Sequence, residues 1–269
     1  FASILDKKQD EQYFKQQAQK VKEAYNKTFL NKEKGYYDNN TVTANLISLM
    51  HGLVPSEYQE PVFYNMTERI EVRDSSHVGV GLIGIQYLMR GLDAYGRNDL
   101  AYKIASNETY PSWGYMVKNG ATTIWELWNG NTANPAMNSG NHVMLLGDYL
   151  IWCYENLAGI KTDKEDVGFK KIIMKPDFNV DLNYVKAKTE TPYGIVKSEW
   201  DKSENSINWK VEIPANSSAI LYIPAENGSQ ILVDNKVFQD NDDMQVLSKN
   251  NNLLCINVNS GEYSFSIRF

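Results

Sequence analysis

The apolar residues of this 269-residue chain change their period near residue 163. Before that point they recur every three or four positions, and after it they alternate with polar residues. A helix stacks residues three and four apart on one face, whereas a strand sends neighbours to opposite faces. The switch therefore predicts two domains, a helical one over 1–162 and a β-domain over 163–269.

Six helices are expected in the first part, over 10–30, 41–53, 56–71, 79–96, 98–107 and 142–160. In the first, Tyr13, Phe14, Ala18, Val21 and Tyr25 form an apolar stripe opposite Lys and Gln. The fourth is apolar nearly all round and reads as buried. Ser56 and Asn98 suit the N-cap positions of the third and fifth helices. Between the fifth and the sixth lies "ETYPSWGYMVKNGATTIWELWNGNTANPAMNSGN", residues 108–141. Irregular chain of that length inside a helical domain points to a functional loop rather than a tie.

In the second part "SINWKVEI" alternates Ile207, Trp209, Val211 and Ile213 with polar residues, as a half-buried strand does. "SSAILYIPA", "QILVDNKVF", "NLLCINV" and "YSFSIRF" follow, with Asp234-Asn235 placed as a tight hairpin turn. An antiparallel β-sandwich or small barrel fits this spacing. The segment holds no catalytic cluster and reads as a stabilising domain.

A formal charge of −6, with no block of Lys or Arg, argues against nucleic acid and anionic membrane as partners. No apolar run reaches the length of a bilayer span. The N-terminus "FASILDKKQDEQYF" lacks the cationic start and apolar core of a signal peptide and reads as cut from a longer chain. Compartment stays open, since Cys153 and Cys255 read as free thiols rather than a disulfide. No His, Cys, Asp or Glu pair has zinc-like spacing, so neither metal nor cofactor is expected.

Four of the six tryptophans, Trp113, Trp125, Trp128 and Trp152, fall within 40 residues. Such a density fills a core, or it lines a carbohydrate site where ring faces meet sugar C–H groups. Glu126 stands among them in "TTIWELW". Flanking indoles would partly desolvate the carboxylate and make it a better proton acceptor. Glycoside hydrolysis needs two carboxyl groups across the scissile bond, and Glu126 could be either. A structural glutamate held by backbone N–H groups is the plainer alternative on pattern alone. His142, at the start of the last predicted helix, could donate to a sugar hydroxyl or serve as a capping histidine.

Three stretches, "GRNDLAYKIASNETYPSWGYMVKNGATTIWELWNG", "MNSGNHVMLLGDYLIWCYENLAGI" and "YVKAKTETPYGIVKSEW", run in the order found in one family. Together they resemble the C-terminal portion of bacterial α-L-rhamnosidases of glycoside hydrolase family 78. The resemblance implies the second half of an (α/α)6 toroid followed by an antiparallel β-sandwich. It implies a substrate class, terminal α-L-rhamnose on a glycoside or polysaccharide, and an inverting mechanism without cofactor. It makes Glu126 the general base and His142 a contact to bound rhamnose, with Trp128, Trp113 and Trp125 as candidates for the sugar-site wall. Leu127 stands where many members carry Arg.

The family's general acid belongs to an upstream acidic segment that nothing in residues 1–160 matches. Asp38, Asp74, Asp93 and Asp148 remain unassigned, and the isolated chain is expected to be inactive. Two other readings stay open: a non-catalytic sugar-binding or scaffold module, and an (α/α)6 glycosidase acting on glucosides. Half a toroid would also expose inward apolar faces, so self-association through that face is expected.

Overall fold

The computed structural model describes residues 1–163, 165–226, 228–239, 241–250 and 252–269. These fall into two compact units, Phe1–Asp148 and Tyr149–Phe269. The family expectation of a helical half followed by a β-sandwich is met.

In the first unit α1 spans Lys8–Phe29 and runs into a two-strand turn, β1 Leu30–Asn31 paired with β2 Tyr36–Tyr37. Helix α2, Val42–Met50, starts where the Thr41 hydroxyl accepts the Ala44 N–H at 3.2 Å. Helix α3, Gln59–Glu68, widens into a turn over Arg69–Arg73, and α4 Leu88–Ala94, α5 Asn98–Ala105 and α6 Trp113–Lys118 follow. Leu46, Met66, Ile70, Ile85, Leu88, Met89 and Leu92 form the fully buried core. Asn45, buried among them, accepts the Tyr37 N–H at 2.8 Å and donates to Asn40 Oδ1 at 2.7 Å, which ties the turn to α2.

Several helices differ from the sequence expectation. The apolar stripe of α1 forms but stays in solvent, with Tyr13, Phe14 and Val21 more than half exposed, and among the described residues none in α1 is buried. Residues 79–96 are not one helix: a single tight turn at Gly84–Gln86 precedes the short α4. Three glycines in six positions weaken that stretch as a helix. A Cβ on Gly84 would also lie 2.5 Å from Thr43 Oγ1, so the close approach to α2 requires glycine there. The expected N-caps shift as well, since Asn98 is the first residue of α5 and Tyr58 precedes α3.

The helix expected over 142–160 is broken into a tight turn at Val143–Leu146, α7 at Tyr149–Trp152, and a wide turn at Cys153–Leu157. Gly147 makes the break, with φ 60° and ψ −133°. Just beyond it Asp148 is almost fully buried. Its carboxylate accepts the N–H groups of Met89 at 3.2 Å and Arg90 at 2.9 Å, with Arg90 Nε at 3.3 Å. Those bonds satisfy the open N–H groups that begin α4. Burial pushes the Asp148 carboxyl above the usual carboxylate range, against the pull of those donors.

The second unit is a β-sandwich. Among the described residues one sheet has the order β10-β9-β13-β7-β6-β5, and the other has β11-β12-β8-β4-β3. The first comprises β5 Tyr184–Thr191, β6 Gly194–Ser203, β7 Ser206–Ile213, β9 Gln230–Val233, β10 Lys236–Val237 and β13 Gly261–Arg268. The second comprises β3 Ile160–Thr162, β4 Lys171–Met174, β8 Ser218–Pro224, β11 Met244–Lys249 and β12 Leu253–Val258. All these pairings are antiparallel except β4 with β8, which run parallel.

Strand β7 buries Ile207, Trp209, Val211 and Ile213 as its alternation requires. The turn between β9 and β10 places Asp234 and Asn235 at φ 50° and 65°, the mirror-image turn that suits strand twist. Inside, Phe178 packs edge-on against Trp200 and Trp209. The buried Ser198 hydroxyl donates to Ala158 O at 2.6 Å and accepts Trp209 Nε1–H at 2.9 Å. Both cysteines are free thiols. Among the described residues no helix is long and apolar enough to cross a membrane.

Candidate active site

The long connector is not wholly irregular. Ser112, itself buried, caps α6 by accepting the Tyr115 N–H at 2.9 Å, which sets Trp113 at the head of a short helix inside the predicted loop. Trp113 is 7% exposed and donates its indole N–H to Leu145 O at 2.9 Å. The Trp128 ring meets it edge-on, with centroids 5.7 Å apart. Trp125 packs over its own turn, where a Cβ on Gly130 would come within 2.6 Å of the indole.

Beyond α6 two arms of the connector, 123–127 and 138–142, are pinned side by side. His142 N–H donates to Ile124 O at 2.6 Å and Glu126 N–H to Ser139 O at 2.9 Å. Leu127 N–H donates to Asn138 Oδ1 at 3.0 Å, and the Thr123 hydroxyl donates to Gly140 O. This clasp closes a gap of 16 residues and faces His142 Nδ1 toward Glu126 Oε2 at 3.9 Å. That separation is too long for a hydrogen bond but close enough for the two groups to share one ligand.

Glu126 is not wedged between indoles. Its side chain is 40% exposed, against 20% for His142. One carboxylate oxygen, Oε2, accepts the Ser139 N–H at 2.9 Å. The plainer sequence alternative, a glutamate held by backbone N–H, is thus present in part, on a carboxylate still open to water. The sequence nominated Glu126 and His142, and the fold brings them together. Asn138 and Ser139, which hold the arm, went unnoticed; the only signal was their place in the turn-forming run "NPAMNSGNH".

Three of the unassigned acids and the other two histidines sit in local contacts of their own. Asp148 caps α4, and Asp38 sits in a turn at φ 50°. Asp74 faces Arg69 Nε at 3.9 Å. His77 uses both ring nitrogens, toward Asp74 O at 2.9 Å and Thr109 Oγ1 at 2.7 Å. His51 packs edge-on against Tyr87. Among the described residues no group of three or more His, Cys, Asp and Glu could hold a metal ion.

A helical domain with an aromatic, carboxylate-bearing loop, followed by a β-sandwich, fits the six-hairpin glycosidase architecture. Residues 1–157 match the bacterial α-L-rhamnosidase six-hairpin glycosidase domain, and residues 159–238 match the bacterial α-L-rhamnosidase C-terminal domain. The chain belongs to the bacterial α-L-rhamnosidase family.

An α-L-rhamnosidase of Formosa agariphila is 32% identical over the whole chain, which covers 29% of that relative. One from Alteromonas sp. is 36% identical over 69% of this chain, covering 20% of the relative. The structure of α-L-rhamnosidase from Dictyoglumus thermophilum superposes with a TM-score of 0.88 at 33% identity, over 100% of this chain and 30% of that one. The Streptomyces avermitilis α-L-rhamnosidase complexed with L-rhamnose has the same fold, with a TM-score of 0.81 at 24% identity over 92% of this chain and 23% of that one. The chain therefore spans under a third of the length of these relatives.

Proposed function

We propose that the protein carrying this chain hydrolyses terminal α-L-rhamnosides with inversion, and that this chain contributes the general base, Glu126, and a sugar contact, His142. The observation that carries the reading is the clasp. It orients one Glu126 oxygen on the Ser139 N–H, leaves the side chain 40% exposed, and sets His142 3.9 Å away. A base that takes a proton from water must be both oriented and wet, and an inverting site needs room for that water beside the sugar. Trp128, backed by the buried Trp113, would offer an aromatic wall, and Trp125 would shape the loop beside it. The similar proteins are α-L-rhamnosidases, one of them complexed with L-rhamnose, which supports the substrate class. By family resemblance the proton-donating acid lies outside this chain, so the chain alone is expected not to turn over.

The test is Glu126→Gln in the full-length protein, assayed on an aryl α-L-rhamnoside. Turnover should fall by roughly 10² to 10⁴, the usual contribution of a general base. Early proton NMR should show the β-anomer as first product of the unmodified enzyme. Normal turnover by the variant would refute the base assignment, and first release of the α-anomer would refute inversion.

A further inference from the structure

The clasp carries more than the meeting of two side chains. Glu126 and Ser139 exchange two bonds: the Glu126 N–H donates to Ser139 O, and the Ser139 N–H donates to Glu126 Oε2, each at 2.9 Å. The second bond lasts only while the 138–142 arm holds its register against 123–127. Next to that pair, the Asn138 side chain reaches across and accepts the Leu127 N–H at 3.0 Å. It is the side-chain tie on the tip side of Glu126. On the other side lie the Thr123 hydroxyl bond to Gly140 O and the His142 N–H bond to Ile124 O at 2.6 Å. Beyond Asn138 the loop tip turns back through 128–137, held by bonds among its own residues and by those of Asn131 to Tyr115 and Asn119.

From this arrangement we infer that Asn138 is a positioning residue for the Glu126 carboxylate, acting through the Ser139 N–H. The inference rests on Glu126 being the base. Asn138 touches neither substrate nor water in this role; it fixes the backbone donor that aims the carboxylate. Without its carbonyl oxygen the Leu127 N–H loses its partner and the arm can slide. The Ser139 N–H then leaves Oε2. A carboxylate that loses that N–H donor is no longer held in one orientation. His142, which faces Glu126, rides on the same arm.

Asn131 supplies the control. It lies in the same loop, accepts the Tyr115 hydroxyl at 3.2 Å and donates to Asn119 Oδ1 at 3.1 Å, away from Glu126. The experiment compares Asn138→Ala, Asn138→Asp, Asn131→Ala and Glu126→Gln in the full-length protein, measuring kcat and KM separately. Asn138→Ala should lower kcat about 10- to 100-fold with little change in KM, the cost of a reacting group misplaced by about an ångström. Asn138→Asp keeps the acceptor and should recover kcat to within about threefold of the unmodified enzyme.

Asn131→Ala should leave both readouts in place. An aspartate variant as slow as the alanine one would overturn the inference, as would equal losses in Asn131→Ala and Asn138→Ala, or a loss in Asn138→Ala carried by KM rather than kcat. If Glu126→Gln is inactive while Asn138→Ala behaves normally, only the role of Asn138 falls. If Glu126→Gln turns over normally, the base assignment falls and takes this inference with it.

Discussion

Gly147 offers the sharpest test of why the chain bends where it does. Its backbone sits at φ 60° and ψ −133°, a region that residues with a side chain rarely occupy. An added Cβ would stand 2.1 Å from Ile85 O and 2.7 Å from Ile85 C, both backbone atoms that no rotamer change can move. Ile85 O is also the acceptor of the Asp148 N–H at 3.2 Å, and Asp148 in turn caps α4. Gly147→Ala therefore combines backbone strain of about 1–3 kcal/mol with disruption of a buried hydrogen-bond network, about 1–3 kcal/mol more. A total near 4 kcal/mol, at about 2–4 °C for each, predicts a fall of roughly 10 °C in the melting temperature of the helical unit. Tryptophan fluorescence should follow it, because the Trp113 indole N–H is held by Leu145 O two residues before the bend. Gly81→Ala is the control, since nothing lies within 4 Å of its added Cβ. A Gly147→Ala protein melting within about 2 °C of the parent would refute the argument from close approach.

Ser198→Ala removes the hydroxyl that both fills Ala158 O and accepts the Trp209 indole N–H, leaving that buried donor without its partner. A loss of about 1–3 kcal/mol is expected in urea unfolding of the β-unit, and an unchanged midpoint would count against a satisfied polar node there. Burial pushes the Cys153 thiol up to about 11. The thiolate is the reactive form, so at pH 8 it should be alkylated about 100-fold more slowly than an ordinary cysteine, recovering only as pH approaches that value. Labelling at the rate of a free thiol at pH 8 would overturn this.

What could be read from the residues alone was whatever is decided locally. Strand β7 and the Asp234-Asn235 turn follow from alternation and turn chemistry within a few positions, and α1, α2 and α5 from helical spacing. The misses are places where contacts with distant residues decide. Residues 79–96 and 142–160 each carry helix-compatible apolar spacing, yet Gly84 must pass Thr43 and Gly147 must pass Ile85. The parallel pairing of β4 with β8 joins segments more than forty residues apart, which no local pattern encodes. At the site, residue types pointed to Glu126 and His142. Their convergence depends on main-chain bonds between two irregular arms, which apolar periodicity does not register.

Among the described residues the side-chain bonds from the opening helix to other elements lie toward its C-terminus. Toward its C-terminus Lys22 donates to Gly52 O, Tyr25 meets Ser48 and stacks on Tyr37, and Asn26 donates to Leu53 O. Nearer its start the recorded side-chain bonds are the exposed pairs of Lys15 with Glu11 and Gln19 with Glu23, each worth only a few tenths of a kcal/mol. Deuterium uptake should rise along the helix from the Tyr25 turn back toward Lys8.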